Sequence, residues 1–163
     1  MMHKVYMGEH LRLDEARAHR ERLQYAGQKL IFTNGHFDLL HVGHLDYLEK
    51  ARALGDALYV GLNGDASTTR LKGKGRPLVP AEERARLLAA LRPVSAVVIF
   101  DDDTAENLIR ALKPDIYVKG GDYAYKPLPE RALVESYGGQ IQLINYLPGH
   151  STSNLIARIK ALP

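Results

Sequence analysis

The sequence contains no cysteine and no tryptophan among its 163 residues. Without thiols the chain forms no disulfide, thiolate nucleophile or thiolate-bound zinc site, which excludes the class of small secreted disulfide scaffolds. Long apolar runs are also missing, since none approaches the roughly 20 residues that a membrane-spanning helix needs. The N-terminus lacks the apolar stretch and cleavage site of a secretory signal. We therefore expect a cytoplasmic protein that does not cross a membrane.

A strong charge of one sign is absent as well. Lys and Arg number 22 against 19 Asp and Glu, which leaves a net charge of +3 and a pI near 9.1. Such a surplus is too small for strong binding of nucleic acid, but it suits small anionic ligands such as phosphorylated metabolites. The length fits one domain of ordinary size.

Short apolar runs alternate with amphipathic stretches of helical length, and this alternation predicts βα units with a parallel sheet. Five strands are predicted, over residues 30–33, 57–62, 96–100, 116–118 and 141–147. Helices are predicted between and after them, over residues 44–54, 81–91, 104–112, 130–137 and 152–161. A further charged helix is predicted over residues 14–26. We expect a single α/β domain with a doubly wound, parallel, five-stranded sheet, made of an N-terminal helical segment (1–28) and a core (29–163).

The strongest chemical signal follows the first predicted strand and reads Thr33-Asn34-Gly35-His36-Phe37-Asp38-Leu39-Leu40-His41-Val42-Gly43-His44. In doubly wound sheets, ligands bind beyond the carboxyl ends of the strands. Free N–H groups at the start of the next helix attract phosphate, and Gly35 and Gly43 would let a ligand approach the backbone closely. His41 and His44 can point the same way and donate hydrogen bonds to phosphates as charge develops during phosphoryl transfer.

Two other interpretations of these histidines exist. They could be unconnected structural residues, or His36, His41 and His44 could bind a metal ion. The metal site is disfavoured because no Asp or Glu sits at a familiar ligand spacing and because the positive end of a helix dipole disfavours a cation.

Three further segments carry candidate binding residues. Residues 70–76 place four cations among two glycines, which indicates either a flexible loop over a triphosphate or a solvated basic loop. Ser151, Thr152 and Ser153 precede the last predicted helix, where they can cap it, bind an anion or do both. Residues 119–122 follow the fourth strand as a turn with two glycines, in which Asp122 could bind a sugar hydroxyl or a metal ion.

The segment from Thr33 to His44 resembles the signature of the cytidylyltransferase-like nucleotidyltransferase family. Within that family, residues 70–77, 118–123 and 148–153 together resemble the adenylyltransferase domain of ADP-heptose synthases. The resemblance covers nearly all of the chain from Leu30 onward. It implies a Rossmann-like fold and ATP with Mg²⁺ on its triphosphate. It also implies transfer of AMP to a sugar 1-phosphate, D-glycero-β-D-manno-heptose 1-phosphate. The acceptor phosphate is itself the nucleophile, because a phosphate monoester is mostly dianionic at pH 7.

The resemblance also implies roles for individual residues. The catalytic residues are expected to be His41, His44 and Lys72. The nucleotide is expected to contact Thr33, Asn34, Gly35, His36, Phe37, Gly43, Arg76, Ser151, Thr152 and Ser153. The acceptor is expected to contact Asp38, Asn63, Asp65, Lys119, Gly120 and Asp122, although Asn63 and Asp65 could instead cap a turn. No metal-ligand set is assigned, since Mg²⁺ is expected to arrive with ATP.

The sequence departs from the family at His36, where a smaller residue such as Cys or Thr is common, and this affects the fit of the substrate. Arg84 resembles a position of the family's Glu-x-Arg segment, but it could be an exposed helical arginine. Many relatives carry a fused sugar kinase. Because 163 residues leave no room for one, we expect a separate kinase to supply the substrate. The oligomeric state is left open, a homodimer included.

Two other functions are compatible with the same residues. One is a cytidylyltransferase that acts on glycerol 3-phosphate or a similar alcohol phosphate, because the residues do not define the base. The other is a non-catalytic nucleotide sensor. A fragment of an aminoacyl-tRNA synthetase is disfavoured by the short chain and by the missing Lys-Met-Ser-Lys-Ser loop.

Overall fold

The computed structural model describes residues 8–163; residues 1–7 of the predicted N-terminal segment lie outside the described residues. The strands are β1 (Glu9–His10), β2 (Leu30–Gly35), β3 (Ala57–Asn63), β4 (Ala96–Phe100), β5 (Ile116–Gly120) and β6 (Gln140–Ile144). The helices are α1 (Leu13–Tyr25), α2 (Val42–Arg52), α3 (Asp65–Lys72), α4 (Ala81–Ala89), α5 (Glu106–Leu112), α6 (Arg131–Ser136) and α7 (Thr152–Lys160). A 3₁₀ turn, Gly121–Ala124, follows β5.

All of these strands are parallel, in the order β1-β4-β3-β2-β5-β6. From β2 the chain winds one way through β3 and β4, and then the other way through β5 and β6. The predicted doubly wound α/β fold is thus confirmed, with its topological switch point between β2 and β5. The predicted strand number was one too low. The sixth strand, β1, is two exposed residues long and has no apolar pattern from which it could have been predicted.

The basic segment 70–76 is not wholly a loop, contrary to the prediction, because its first three residues complete helix α3. This helix has no apolar periodicity and is rich in Ser and Thr, which are mediocre helix formers. Local and tertiary contacts compensate for the weak propensity. The buried hydroxyls of Ser67 and Thr68 donate to the nearby carbonyls of Gly64 and Asn63, and the Ser67 N–H donates to the distant Asp101 carboxylate at 3.2 Å.

The core consists of one apolar layer on each face of the sheet. Alternate strand residues supply the two layers: Phe32, Tyr59 and Tyr117 pack on one face, and Ile31 and Leu58 on the other. Buried residues of α1, α5 and α6 cover the first face, and those of α2 and α4 cover the second. Within residues 8–163, no helix has the length and apolarity needed to cross a membrane.

Arg84 of α4 ties the carboxyl ends of β2 and β3 together. Its side chain is fully buried and donates to the carbonyl oxygens of His36 (2.6 Å), Val79 (2.7 Å) and Asn63 (2.8 Å). A fourth hydrogen bond, of 2.8 Å, runs to the Asp65 carboxylate. The alternative of an exposed helical arginine is therefore wrong, and Arg84 instead fixes the backbone beneath the candidate site.

Candidate active site

A cavity of about 610 Å³ opens at the switch point, beyond the carboxyl ends of β2 and β5. The N-termini of α2 and α7 and the end of α3 form its walls. The lining residues that the sequence had predicted are Asn34, Gly35, His36, Phe37, Asp38, His41, Gly43, His44, Lys72, Arg76, Lys119, Gly120, Ser151, Thr152 and Ser153. Four separate segments of the chain thus converge on one concave surface, which is the usual shape of a small-molecule site.

His41 is the N-cap of α2, and its own contact defines its tautomer. Its Nδ1 accepts a hydrogen bond of 3.1 Å from the Gly43 N–H, so Nδ1 carries no proton and the neutral ring is protonated at Nε2. This Nε2 atom is buried and has no hydrogen-bond partner among the described residues. Burial, together with nearby His150, lowers the pKa of His41. His41 is therefore neutral, and its Nε2–H can donate a hydrogen bond to a ligand.

His44 stacks on His41, with 3.9 Å between the ring centroids, and Phe37 packs against its other side. Burial, aided by the neighbouring His41 ring, lowers the pKa of His44 to about 4. The ring is thus neutral at physiological pH. Its Nδ1 is also buried without a hydrogen bond in the part of the chain that the structure describes. Unpaired buried polar atoms are costly, and they concentrate at functional sites.

Gly43 lies between these rings and the segment that leads into α7. A Cβ atom at this position would lie 2.9 Å from His150 Cβ and 2.9 Å from both Cε1 and Nδ1 of His41. Real Cβ contacts are almost never that short. The absence of a side chain at residue 43 therefore lets the His41 ring bond to the helix start while His150 approaches from the opposite wall.

Asp38 holds the basic loop against the motif that contains the histidines. Its buried carboxylate pairs with Arg76 Nε at 2.6 Å, and its Oδ1 accepts the N–H groups of Leu78 (2.8 Å) and Val79 (2.9 Å). Burial by itself raises the pKa of Asp38, but the N–H groups of Val79 and Leu78 and the Arg76 guanidinium lower it below its ordinary value. Both oxygens of Asp38 are thus already bonded within the protein.

The loop between Lys72 and Arg76 contains two glycines with left-handed backbone angles, Gly73 (φ 97°) and Gly75 (φ 88°). These angles favour glycine, because other residues are strained there. Lys72 is exposed at the end of α3, where it lines the cavity. The loop therefore places two cations, from Lys72 and Arg76, on the same wall.

The opposite wall is the N-terminus of α7. Ser151 caps this helix, because its Oγ accepts the N–H of Asn154 at 3.0 Å. The predicted cap is confirmed, and the free N–H groups of the first turn face the cavity with the dipole orientation that favours an anion.

Asn34 and Lys119 come from the carboxyl ends of the adjacent strands β2 and β5. Asn34 Oδ1 accepts hydrogen bonds from the Tyr117 hydroxyl (2.6 Å) and from Lys119 Nζ (3.3 Å). The Lys119 ammonium also lies 4.7 Å from the centre of the Tyr123 ring, which is a cation–π distance. Burial lowers the pKa of Lys119.

The profile of the cytidylyltransferase-like family matches residues 32–156, which include every segment of this site. The chain belongs to the cytidylyltransferase-like family.

Similarity to curated members of this family extends over most of the chain. Bifunctional protein HldE from Syntrophotalea carbinolica is 53% identical over 156 residues, which are 96% of this chain and 31% of that protein. Bifunctional protein HldE from Geobacter sulfurreducens is 55% identical over 133 residues, 82% of this chain and 27% of that protein. The chain therefore spans less than a third of the length of these relatives.

Two solved structures share this fold at different levels of sequence identity to the chain. The lipopolysaccharide core biosynthesis protein from Thermoplasma volcanium GSS1 superposes with a TM-score of 0.60 at 28% identity, covering 74% of this chain and 98% of that one. Pantoate-beta-alanine ligase from Francisella tularensis superposes with a TM-score of 0.62 at 13% identity, covering 94% and 77%. The second likeness concerns the fold alone.

Four residues that the family resemblance had placed in the site do not line the cavity: Thr33, Asn63, Asp65 and Asp122. Asp65 pairs with Arg84 and accepts the N–H of Ala81, so it caps α4. Asn63 is buried and donates to the Ser67 hydroxyl.

The other two residues are Thr33 and Asp122. Thr33 is buried under the site, where its hydroxyl donates to the carbonyl of Val118 and its oxygen accepts from Tyr47, which does line the cavity. Asp122 pairs with Lys126 through Oδ2, while its Oδ1 is buried without a hydrogen bond in residues 8–163. Burial raises the pKa of Asp122 and Lys126 lowers it, with a net lowering.

His36, the departure from the family pattern, bonds through Nδ1 to the Thr68 hydroxyl at 2.9 Å. Burial, followed by the charges of Lys72 and Arg84, lowers the pKa of His36 to about 4. Its ring is thus neutral and turned toward α3. Across residues 8–163, no three side chains of His, Asp or Glu are grouped so that they could hold a metal ion.

Several lining residues were not among the predicted contacts: Tyr47, Tyr146, Leu147, Pro148, Gly149, His150 and Asn154. Tyr47 lies in the buried face of α2, where a tyrosine is normally a core residue, and it packs against Tyr146 at 5.8 Å. Pro148, Gly149 and His150 stand in the 148–153 segment that carries part of the family resemblance, but no role was predicted for them, and Asn154 directly follows that segment.

Proposed function

We propose that this protein transfers AMP from ATP to the phosphate of a sugar 1-phosphate and releases pyrophosphate. Nucleotidyl transfer agrees with membership of the cytidylyltransferase-like family. The observation that carries the proposal is the pair of stacked, neutral imidazoles at the start of α2, each with a buried nitrogen that has no partner within the described residues. Each neutral ring carries one N–H donor, which fits a phosphate oxygen.

The chemistry requires alignment rather than a protein nucleophile. An oxygen of the acceptor phosphate, whose second pKa is near 6, attacks the α-phosphorus of ATP. A new P–O bond forms as the bond between the α-phosphorus and the pyrophosphate oxygen breaks, and the electron pair leaves with pyrophosphate. Because the acceptor is already ionised, no side chain has to remove a proton.

His41 and His44 would stabilise the charge that builds on the phosphate oxygens in the transition state. Neutral imidazoles suit this role, because each retains one N–H donor and the two rings can stack without charge repulsion. Their depressed pKa values keep them in this state at pH 7. Fixed donors in a cavity that excludes water contribute more than the same groups in solution.

Lys72 and Arg76 would neutralise the departing pyrophosphate, and the N-terminus of α7 with Ser151 would bind nucleotide phosphates. Mg²⁺ would supply charge neutralisation on the triphosphate. Mg²⁺ is often held mainly by phosphate oxygens and water, so the triphosphate would supply most of its ligands. The protein would therefore bind the metal through its nucleotide.

For the acceptor we propose D-glycero-β-D-manno-heptose 1-phosphate, because residues 70–77, 118–123 and 148–153 resemble segments of ADP-heptose synthases. A sugar kinase must supply this substrate. The cytoplasm, where ATP is abundant, is the compartment that this reaction requires.

A matrix of two nucleotides and two acceptors tests the proposal. Pyrophosphate release should be faster with ATP and the heptose 1-phosphate than with CTP and glycerol 3-phosphate. The reverse ranking would replace the adenylyltransferase with a cytidylyltransferase. Tight ATP binding with no pyrophosphate from any acceptor would instead indicate a nucleotide sensor.

A further inference from the structure

The Asn34 side chain is held in one orientation by two donors. The Lys119 ammonium can only donate, so the atom of Asn34 that faces it must be the acceptor Oδ1. The Tyr117 hydroxyl contacts the same oxygen at 2.6 Å and is therefore the donor in that pair as well. The amide cannot flip without bringing its own N–H groups against the ammonium. Its Nδ2 group consequently points away from both partners.

The burial of Tyr117 helps to keep the Asn34 amide in this orientation. Its side chain is fully buried in β5, and burial raises the pKa of its hydroxyl, which therefore keeps its proton. Asn34 lines the cavity, whereas Tyr117 does not. The Tyr117 hydroxyl can thus act on a ligand through the asparagine, whereas the Tyr117 ring, whose centre lies 5.9 Å from Lys119 Nζ, is retained in a Phe variant.

We propose that Tyr117 is a positioning residue that orients the Asn34 amide, so that Asn34 Nδ2 and Lys119 Nζ together bind an oxygen of the phosphorylated acceptor. This inference rests on the proposed function. The starts of α2 and α7 and the Lys72–Arg76 loop already provide donors for the nucleotide phosphates. The Asn34 and Lys119 donors form a separate pair, at the ends of β2 and β5, and a phosphate or sugar hydroxyl offers the acceptor atoms that match them.

The chain contains a matched control for Tyr117. Phe32 of β2 is in register with Tyr117 on one side and with Tyr59 of β3 on the other. Both tyrosines are fully buried in the same apolar layer. The Tyr59 hydroxyl, however, contacts His19 of α1 instead of a cavity residue. Replacing either tyrosine with Phe removes one buried hydroxyl at the same level of the sheet.

The experiment compares Tyr117→Phe with Tyr59→Phe in the full chain, by steady-state pyrophosphate release with ATP and the sugar 1-phosphate. Loss of one orienting hydrogen bond should raise the KM for the acceptor about fivefold in Tyr117→Phe only, while the KM for ATP stays at the wild-type value. Calorimetric titration of the sugar phosphate into protein saturated with a non-hydrolysable ATP analogue should give the same ratio of Kd values.

A double variant separates positioning from a general structural effect. In an Asn34→Ala background, adding Tyr117→Phe should leave the acceptor KM unchanged, because the amide that it orients is gone. If wild-type protein turns over and Tyr117→Phe matches Tyr59→Phe, or changes the KM for ATP instead, the inference is wrong while the proposed function stands. If the wild-type protein releases no pyrophosphate with any acceptor, the proposed function fails and this inference fails with it.

Discussion

The two ends of the sheet use polar groups in opposite ways. At the amino end, polar side chains bond to the backbone of the same end. Asp56 accepts the N–H of Lys29 at 2.7 Å, and Asp115 accepts the N–H of Leu30 at 2.7 Å. Arg20, nearly buried, lies 3.0 Å from the Asp115 carboxylate and also donates to the carbonyls that end α5.

At the carboxyl end, by contrast, several polar atoms have no protein partner in residues 8–163. His41 Nε2 and His44 Nδ1 are buried and unpaired, and the neighbouring Ser151 and Lys72 lie around the same open space. The comparison teaches that one sheet divides stability and chemistry unevenly: polar groups at the amino end stabilise the fold, whereas the carboxyl end combines such contacts, as at Arg84, with donors that remain for a ligand.

The largest expected effect comes from removing one imidazole at the carboxyl end. His44→Ala, and separately His41→Ala, should lower kcat by about 10²–10³, because each removes a donor to the developing phosphate charge. Steady-state kinetics and a melting curve check this, and Tm should change little. The double variant should lose less than the product of the two single effects. Near-normal turnover in either folded single variant would contradict the mechanism.

At the amino end the comparison predicts the reverse pattern. Arg20→Met should lower the free energy of unfolding by about 1–3 kcal/mol, because it leaves the carbonyls of Leu112 and Lys113 without their donor. Its kcat should equal the wild-type value. Denaturant unfolding measures the loss, and Arg17→Met, at an exposed position of the same helix, is the control. A large fall in kcat would show that the two ends are not separate.

Sequence patterns predicted the sheet and much of the cavity for a local reason. Buried strands appear in the sequence as apolar runs. The segment from Thr33 to His44 combines a strand end, glycines and a helix start within a few residues. What the sequence did not predict depends on distant partners. The Asp38–Arg76 pair joins residues 38 positions apart, and the Tyr117–Asn34 contact joins residues 83 positions apart. Neither distance leaves a local pattern.

The failed predictions have the same origin. Helix α3 forms from residues of low helix propensity because the Ser67 N–H bonds to Asp101, 34 positions away, and the Thr68 hydroxyl bonds to His36, 32 positions away. Arg84 looks like a surface residue in the sequence, and it is buried only because four acceptors from three segments surround it. Such sets of acceptors exist only in the folded chain.

A smaller effect is expected in the basic loop. Lys72→Ala should lower kcat/KM for ATP about tenfold, the equivalent of about 1.4 kcal/mol, since it removes one cation from the phosphate wall. Lys74→Ala is the matched control, because Lys74 is exposed in the same loop but does not line the cavity. Equal kinetics of the two variants would reduce the loop to a solvated turn.

The smallest effect at neutral pH is expected for His36. Its pKa of about 4 lies below the ordinary value of 6.5, so between these values the unfolded chain binds a proton that the folded chain does not. Wild-type stability should therefore fall as pH drops from 6.5 toward 4. His36→Asn should weaken this slope while leaving stability at pH 7–8 nearly unchanged. Denaturant unfolding across this range provides the measurement, and parallel curves would contradict the assignment.

Residue 43 has room only for a hydrogen atom as its side chain, so the turn from His41 to His44 requires glycine at this position. Because His41 and His150 each lie 2.9 Å from where a Cβ would stand, any side chain at residue 43 displaces both walls of the cavity at once. A redesign of the cavity for new acceptors must therefore keep residues 41–44 unchanged as a group.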